Sequence, residues 1–331
     1  MPDARAGRPV AGAGRTCPVD YRYGEQALRA APSLEAETLY VAGGLYGNPF
    51  ALDALLELAA REPGARLAFN GDFNWFNVES SDFRGVNETV LAHFATRGNV
   101  ETELAAPSRG VGCGCGYPEW VADAEVARSN RIQERLRATA DANPGVIARL
   151  AALPMAAIAR VGDTRVAIVH GDAHSLAGWG YSQEVLATPE GLAAARADCE
   201  SFGAGVIASS HTCLPVMQRF ASSSGEAILA NNGSAGMPNF RGTRFGLATR
   251  ISVRAPQSGA IYGDSIGGVY VHAVAVEYDT VAWERRFLEQ WPAGSDAHES
   301  YYGRICAGPA YAPWQAMRAD PRPVPAHAVQ A

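Results

Sequence analysis

Apolar residues in this chain fall into short runs closed by Gly, Asn, Ser or Pro, with longer amphipathic stretches between them. Thr38-Leu-Tyr-Val-Ala42, Arg66-Leu-Ala-Phe69, Arg165-Val-Ala-Ile-Val169, Gly205-Val-Ile-Ala208 and the run from Gly268 to Val276 read as buried strands. Thr38 to Ala42 is expected to be the first of them, and a further strand should end within 96–101. Helical spacing covers 50–60 behind Pro49, a stretch running to about Phe94, 119 to about 143, a shorter piece after Pro144, and segments from Thr280 and Ala297. Strands alternating with helices predict an α/β domain. Residues 1–33 and 318–331 lack apolar periodicity and are expected to form a mobile arm and a flexible tail around one domain at 34–317. The helices near 118–152 would be a small cap.

The polar residues that close these runs share a position. Asp72 follows Gly71 after the second run, His170 follows Val169, His211 follows Ser209-Ser210, and Asn99 follows Gly98 at the expected third strand end. Open α/β sheets bind ligands at such strand ends. Each residue also has an ordinary explanation: Asp72 as a turn former or helix cap, Asn99 as a turn residue, and the two histidines as hydrogen-bonded core groups. If one sheet brings the four together, they form a mixed oxygen and nitrogen donor set suited to Mn²⁺, Fe²⁺ or Zn²⁺.

With 331 residues, 47% of them hydrophobic, the chain can bury a full-sized core. A net charge of −6 gives no basic footprint for extended nucleic-acid binding. No apolar run is long enough for a membrane span, and no signal-peptide pattern opens the chain, so a cytoplasmic location is expected. Homo-oligomerisation is compatible with this reading. The six cysteines, at 17, 113, 115, 199, 213 and 306, show no framework spacing and are expected to be free thiols or metal ligands.

Taken in order, Gly44-Leu-Tyr46-Gly-Asn48, Gly71-Asp72, Gly98-Asn99-Val100-Glu101, His170-Gly171, Ser210-His211-Thr-Cys213-Leu-Pro215 and Asn231-Asn-Gly-Ser234 follow the motif series D-x-H-G-N, G-D, G-N-H-[DE], H-G, G-H-T-H-x-P and N-P-G-S. Over about residues 37–290 the sequence therefore resembles the calcineurin-like metallophosphoesterases, particularly their small bacterial phosphodiesterase-like branch. The resemblance implies a four-layer αββα sandwich and a metal-dependent phosphodiesterase or phosphatase acting on a small phosphoester. It also implies that Asp72, Asn99, His170 and His211 hold one divalent transition metal, with Asp72, His170 and His211 central to catalysis.

The departures sort to one side. The positions that would complete a first metal site are Gly44, Tyr46 and Cys213, and the position of the protonating histidine is Val100. One ion rather than two is therefore expected, or a rebuilt half in which Cys213, Cys113 and Cys115 supply thiolates favouring zinc or iron. The alternative for the cysteines is a flexible glycine loop at 113–115 and a buried apolar filler at 213. Tyr46 and His174 are further candidates for proton donation or for supporting the ligands. Two readings remain: a hydrolase with a mononuclear or rebuilt site, and a degenerate relative that binds a metal or ligand without turnover. Gly263-Asp-Ser265-Ile-Gly267 matches the G-x-S-x-G hydrolase elbow, but the strand-like run after it predicts a turn between strands instead.

Overall fold

A computed structural model describes residues 12–23, 28, 31–108, 110–222, 225–256 and 259–318. The apolar runs become strands β1 (Ser33–Ala36), β2 (Thr38–Ala42), β3 (Arg66–Asn70), β4 (Phe94–Thr96), β5 (Ala156–Val161), β6 (Thr164–Val169), β7 (Val206–Ser209), β8 (Val216–Ser222), β9 (Gly225–Asn231), β10 (Gly246–Ser252), β11 (Ala260–Ile266), β12 (Val269–Val276) and β13 (Met317–Arg318). They form two sheets, ordered β1-β5-β6-β7-β9-β8-β13 and β11-β12-β10-β2-β3-β4. Strands β2, β3 and β4 run parallel, as do β6, β7 and β9, so each sheet gathers strand ends at a common edge.

The sheets pack face to face through alternate side chains. Leu39 and Val41 of β2 meet Val166 and Ile168 of β6 and Val206 and Ala208 of β7 in one apolar layer. The intervening residues face outward and are buried too. Ala167, Val169 and Ile207 lie under the helix Pro189–Phe202, whose Ala195, Cys199 and Phe202 cover that face. Tyr40, Leu67 and Phe69 on the other sheet lie under Leu52 and Leu55 of the helix Pro49–Ala60 and Phe83 and Val86 of Ser80–Val90. Burial on both faces is why these strands read as continuous apolar runs. The result is the expected four-layer αββα sandwich.

The insertion at 118–152 is a helix pair, Asp123–Asp141 and Pro144–Ala151, whose Ile132, Leu136 and Leu150 join the same apolar layer as Trp283 and Phe287. Three expectations change. The first strand is Ser33–Ala36, one earlier than Thr38–Ala42; its half-exposed side chains at an edge position give little apolar signal. Ala156–Val161 is a further strand, paired antiparallel with β6. Within the stretch expected to be a mobile arm, residues 12–23 pack onto the domain, with Tyr21 and Tyr23 buried. The tail expectation falls on 319–331, outside the described residues, apart from Arg318 in β13. Gly263 to Gly267 lies in β11 and the turn into β12, so Ser265 is on a hairpin and not on a strand-to-helix elbow. Among the described residues, no helix is long and apolar enough to cross a membrane.

Candidate metal centre

Each expected ligand reaches the common edge by a local device. After β3, Gly71 and Asp72 both take left-handed backbone, at φ of 73° and 51°, which turns the chain sharply and leaves Asp72 over the strand end. His211 follows β7 with φ 48°. Tyr46 and Cys213, at φ 55° and 63°, complete the non-glycine residues with positive φ among those described. Such conformations cost on the order of 1–3 kcal/mol each and persist where the surroundings hold them. All four belong to the candidate site. His170 sits directly at the end of β6, and Asn99 opens the helix Asn99–Ala105.

Asp72, His170 and His211 each offer a ligand atom within 4.8 Å of the others, and all three side chains are buried. Among the described residues, this is the sole convergence of three or more His, Cys, Asp or Glu ligand atoms. His170 Nε2 lies 3.3 Å from Asp72 Oδ2 and 3.3 Å from Asn99 Oδ1, so the amide oxygen joins the group. The His170 Nδ1 sits 2.7 Å from the carbonyl of Asn70. That carbonyl accepts the Nδ1 proton in a hydrogen bond and directs Nε2 toward Asp72, where the nitrogen either holds a proton against the carboxylate or, once that proton is displaced, offers its lone pair to a cation. His211 is held in the opposite sense: Nε2 lies 3.1 Å from the carbonyl of Cys115, and Nδ1 is buried with no partner. A buried group of a carboxylate, an amide oxygen and two imidazoles, one of which has a ring nitrogen without a partner, fits a divalent transition metal.

Electrostatics favour this arrangement. Burial raises the Asp72 carboxyl, but the imidazoles of His170 and His211 and the backbone N–H of Val100 outweigh it and hold it below the usual range. Burial and the neighbouring His170 push His211 down to about 3, so its ring is neutral and able to ligate at ordinary pH. Burial would lower His170, yet the Asp72 carboxylate wins and raises it. Glu101 stands behind Asp72. Its carboxylate accepts the backbone N–H groups of Asp72 at 2.8 Å, Asn74 at 3.1 Å and Gly98 at 3.0 Å, while burial and the Asp72 charge push it up to about 7.

The altered half has a different character. Tyr46 Oη lies 2.9 Å from Cys213 Sγ, and Arg304 Nη2 donates to the Cys213 carbonyl at 2.7 Å. Cys213, Cys113 and Cys115 stay outside the convergent group. Burial pushes the Cys213 and Cys115 thiols up, so they keep their protons. The structure therefore does not gather the cysteines as ligands. Cys113 and Cys115 meet the site chiefly through their carbonyls: Cys113 O accepts Asn99 Nδ2 at 3.1 Å, Cys115 O accepts Trp179 Nε1 at 3.0 Å as well as facing His211, and Cys115 Sγ also lies 3.5 Å from Asn99 Nδ2. His174 points away, its side chain 77% exposed and 3.2 Å from Asp198, because the turn closed by the Asp172 carboxylate carries it outward.

Sequence reasoning did not select Trp75, Tyr117, Trp179 and Tyr301, which wall the site and leave a cavity of about 30 Å³. That space suits an ion or a water and is about tenfold smaller than an ordinary ligand pocket. Trp179 lies edge-on to His211 at 5.5 Å between ring centres. The one available signal was its place between Gly178 and Gly180, nine residues after His170.

No protein-family model matches the chain, and no curated protein matches it. Solved structures do match. A metallophosphoesterase from Sphaerobacter thermophilus, 19% identical, aligns over 83% of this chain and 100% of its own with a TM-score of 0.53. A hypothetical protein from Pyrococcus horikoshii OT3, 15% identical, aligns over 84% and 100% with a TM-score of 0.54. At these identities the likeness is one of fold.

Proposed function

We propose that this chain, which has the metallophosphoesterase fold, is a metal-dependent hydrolase of a small phosphoester that works with one divalent transition metal. The observation that carries the reading is the convergence of one buried ligand atom from each of Asp72, His170 and His211, in a group where the Nδ1 of His211 is buried without a partner. Asp72, Asn99, His170 and His211 would hold the ion, and Mn, Fe or Zn each suits that donor set. When bound, the ion supplies Lewis acidity toward a phosphoryl oxygen and toward water. The carbonyls of Asn70 and Cys115 orient the two imidazoles, and Glu101 fixes the backbone that presents Asp72. Val100 cannot donate a proton. Tyr46 and Tyr301 line the cavity with phenols that burial holds in the protonated form, so the proton for the leaving group comes from one of these or from water.

The test has two parts. Purified protein should carry close to one equivalent of a transition metal, and Asp72→Ala or His211→Ala should abolish both metal retention and turnover of a generic phosphodiester. The cavity of about 30 Å³ favours a second reading, a metal or ligand binder without turnover. Stoichiometric metal with no hydrolysis across a panel of phosphomonoesters and phosphodiesters would establish that reading and end the first.

A further inference from the structure

A second cavity, of about 600 Å³, is lined by β1 of one sheet and by β3 and β4 of the other. It shares no lining residue with the candidate metal centre, and it meets β3 and β4 at their first residues, Arg66 and Phe94, whereas Asp72 and Asn99 follow their last. The volume is that of a small-molecule pocket, about 300–1,000 Å³. Among the described residues, β1 and β4 are terminal strands of their sheets, so each has one row of backbone N–H and C=O groups that no further strand pairs. The floor of the cleft is apolar. Leu34 and Phe94 pack partly buried against the layer between the sheets, and Leu67 is buried.

The two walls carry opposite charges. Glu35 belongs to the β1 wall, and Arg66 to the β3 wall, where His93 adds a second polar side chain. Glu35 and Arg66 are exposed, and among the described residues neither takes part in a salt bridge. A ligand that meets both walls therefore needs a cation at one end, an anion at the other and an apolar body between. In a free amino acid the two charges flank a single carbon and do not reach across. An extended dipeptide, at roughly 3.3 Å per residue, holds its ammonium and carboxylate roughly 6–7 Å apart; with a hydrogen bond at each end this is comparable with the spacing of about 10 Å between packed sheets. Its amide also offers one donor and one acceptor to an open strand edge. We propose that this cleft binds a dipeptide with free termini and apolar side chains. Its ammonium meets Glu35, its carboxylate meets Arg66, and its side chains lie on Leu34, Leu67 and Phe94. This inference stands apart from the hydrolase reading.

The test is calorimetric titration of the full-length protein near pH 7 with leucyl-phenylalanine, its N-acetyl form, its C-terminal amide and glycylglycine. The expected result is that leucyl-phenylalanine binds at least tenfold more tightly than each of the other three. Glu35→Gln should weaken it to the level of the N-acetyl form, with no further loss on acetylation, and Arg66→Gln should do the same with respect to the amide. Both side chains are exposed, so the variants should keep the fold, which unchanged thermal midpoints would verify. The comparison of the four ligands on the unaltered protein decides the matter even if a variant fails to fold. No binding of leucyl-phenylalanine at millimolar concentration would overturn the proposal. Equal binding of the acetylated or amidated form would overturn the charge pairing, and equal binding of glycylglycine would overturn the role of the apolar floor. Binding that neither variant weakens would put the peptide elsewhere on the molecule and end the assignment to this cleft.

Discussion

Gly98 shows how closely single residues set the candidate metal centre. A Cβ placed on it would fall 2.2 Å from Asp72 Oδ1 and 2.9 Å from the His170 ring, so the glycine makes room for two ligands at once. Gly98→Ala is expected to displace Asp72, lower stability by about 1–3 kcal/mol and remove most bound metal; thermal unfolding with metal analysis checks both. The titration behaviour of the ligands gives a second expectation. His211 is neutral down to about pH 3 and Asp72 is held ionised, so neither competes with a cation through its own proton near neutrality. His170 does, because the adjacent carboxylate raises its pKa above the ordinary imidazole value. A cation must displace that proton, so metal affinity should fall by up to about tenfold per pH unit as the pH drops below this raised value. Metal titrations between pH 6 and 8 would show the slope, and a flat response would contradict the assignment of His170.

Between elements, Glu62, just beyond the helix Pro49–Ala60, ties that helix to the sheet. It accepts Arg250 Nε at 2.8 Å and Nη2 at 2.6 Å from β10, and Tyr40 Oη from β2. The Arg250 side chain is 4% exposed, so Glu62→Gln strands a buried guanidinium and is expected to cost about 3 kcal/mol at pH 7. The Arg250 hydrogen bond, outweighing burial, holds the Glu62 pKa below its ordinary 4.5. Its contribution to stability is therefore complete above that value and lost as the pH falls through the lowered folded pKa. Denaturant midpoints of the two proteins should converge as the pH falls from 5 toward 3, and a constant gap would argue against the pair. None of this was visible in the sequence, since Glu62 and Arg250 stand 188 positions apart with no local pattern joining them. The strands that place the site were legible because burial on both faces makes their apolar runs continuous, and Asp72, His170 and His211 were legible because each follows such a run. Edge strand β1 and the aromatic walls were not, because half-exposed side chains and isolated rings in loops carry no periodic signal. The thiols misled for a related reason: in Cys113-Gly-Cys115 the residue names pointed to sulfur as a metal ligand, whereas the atoms facing Asn99 and His211 are chiefly main-chain carbonyls.

Across the whole molecule, the N-terminal segment straps together two loops that lie far apart in the chain and meet at the site. Gly14 N–H donates to Val111 O at 2.7 Å and Tyr117 N–H to Gly14 O at 2.9 Å, which binds the loop carrying Cys115 and Tyr117. A few residues on, Leu176 N–H donates to Tyr21 O at 2.9 Å, and Tyr23 Oη donates to the Asp172 carbonyl at 2.7 Å, which binds the loop carrying Trp179. Tyr21 Oη donates to the buried Glu103 at 2.6 Å, anchoring the strap to the helix that begins at Asn99. The sheets owe little to these bonds, because their apolar layers close without the segment except where Tyr21, Tyr23 and Leu28 cover one outer face. Local stability should therefore divide between a firm sandwich and a rim held by the strap. Removing residues 1–23 is expected to raise hydrogen exchange in 110–118 and 172–180 by tenfold or more, with little change in β2, β3, β6 and β7. Metal dissociation should quicken in parallel, because the Cys115 carbonyl that orients His211 lies in the loosened loop. Tyr21→Phe, which removes one hydrogen bond and leaves the ring, should produce a weaker form of both effects. Loops as protected in the truncated protein as in the full chain would show that the rim is held by its own packing, and the strap would then be only a cover for the outer face.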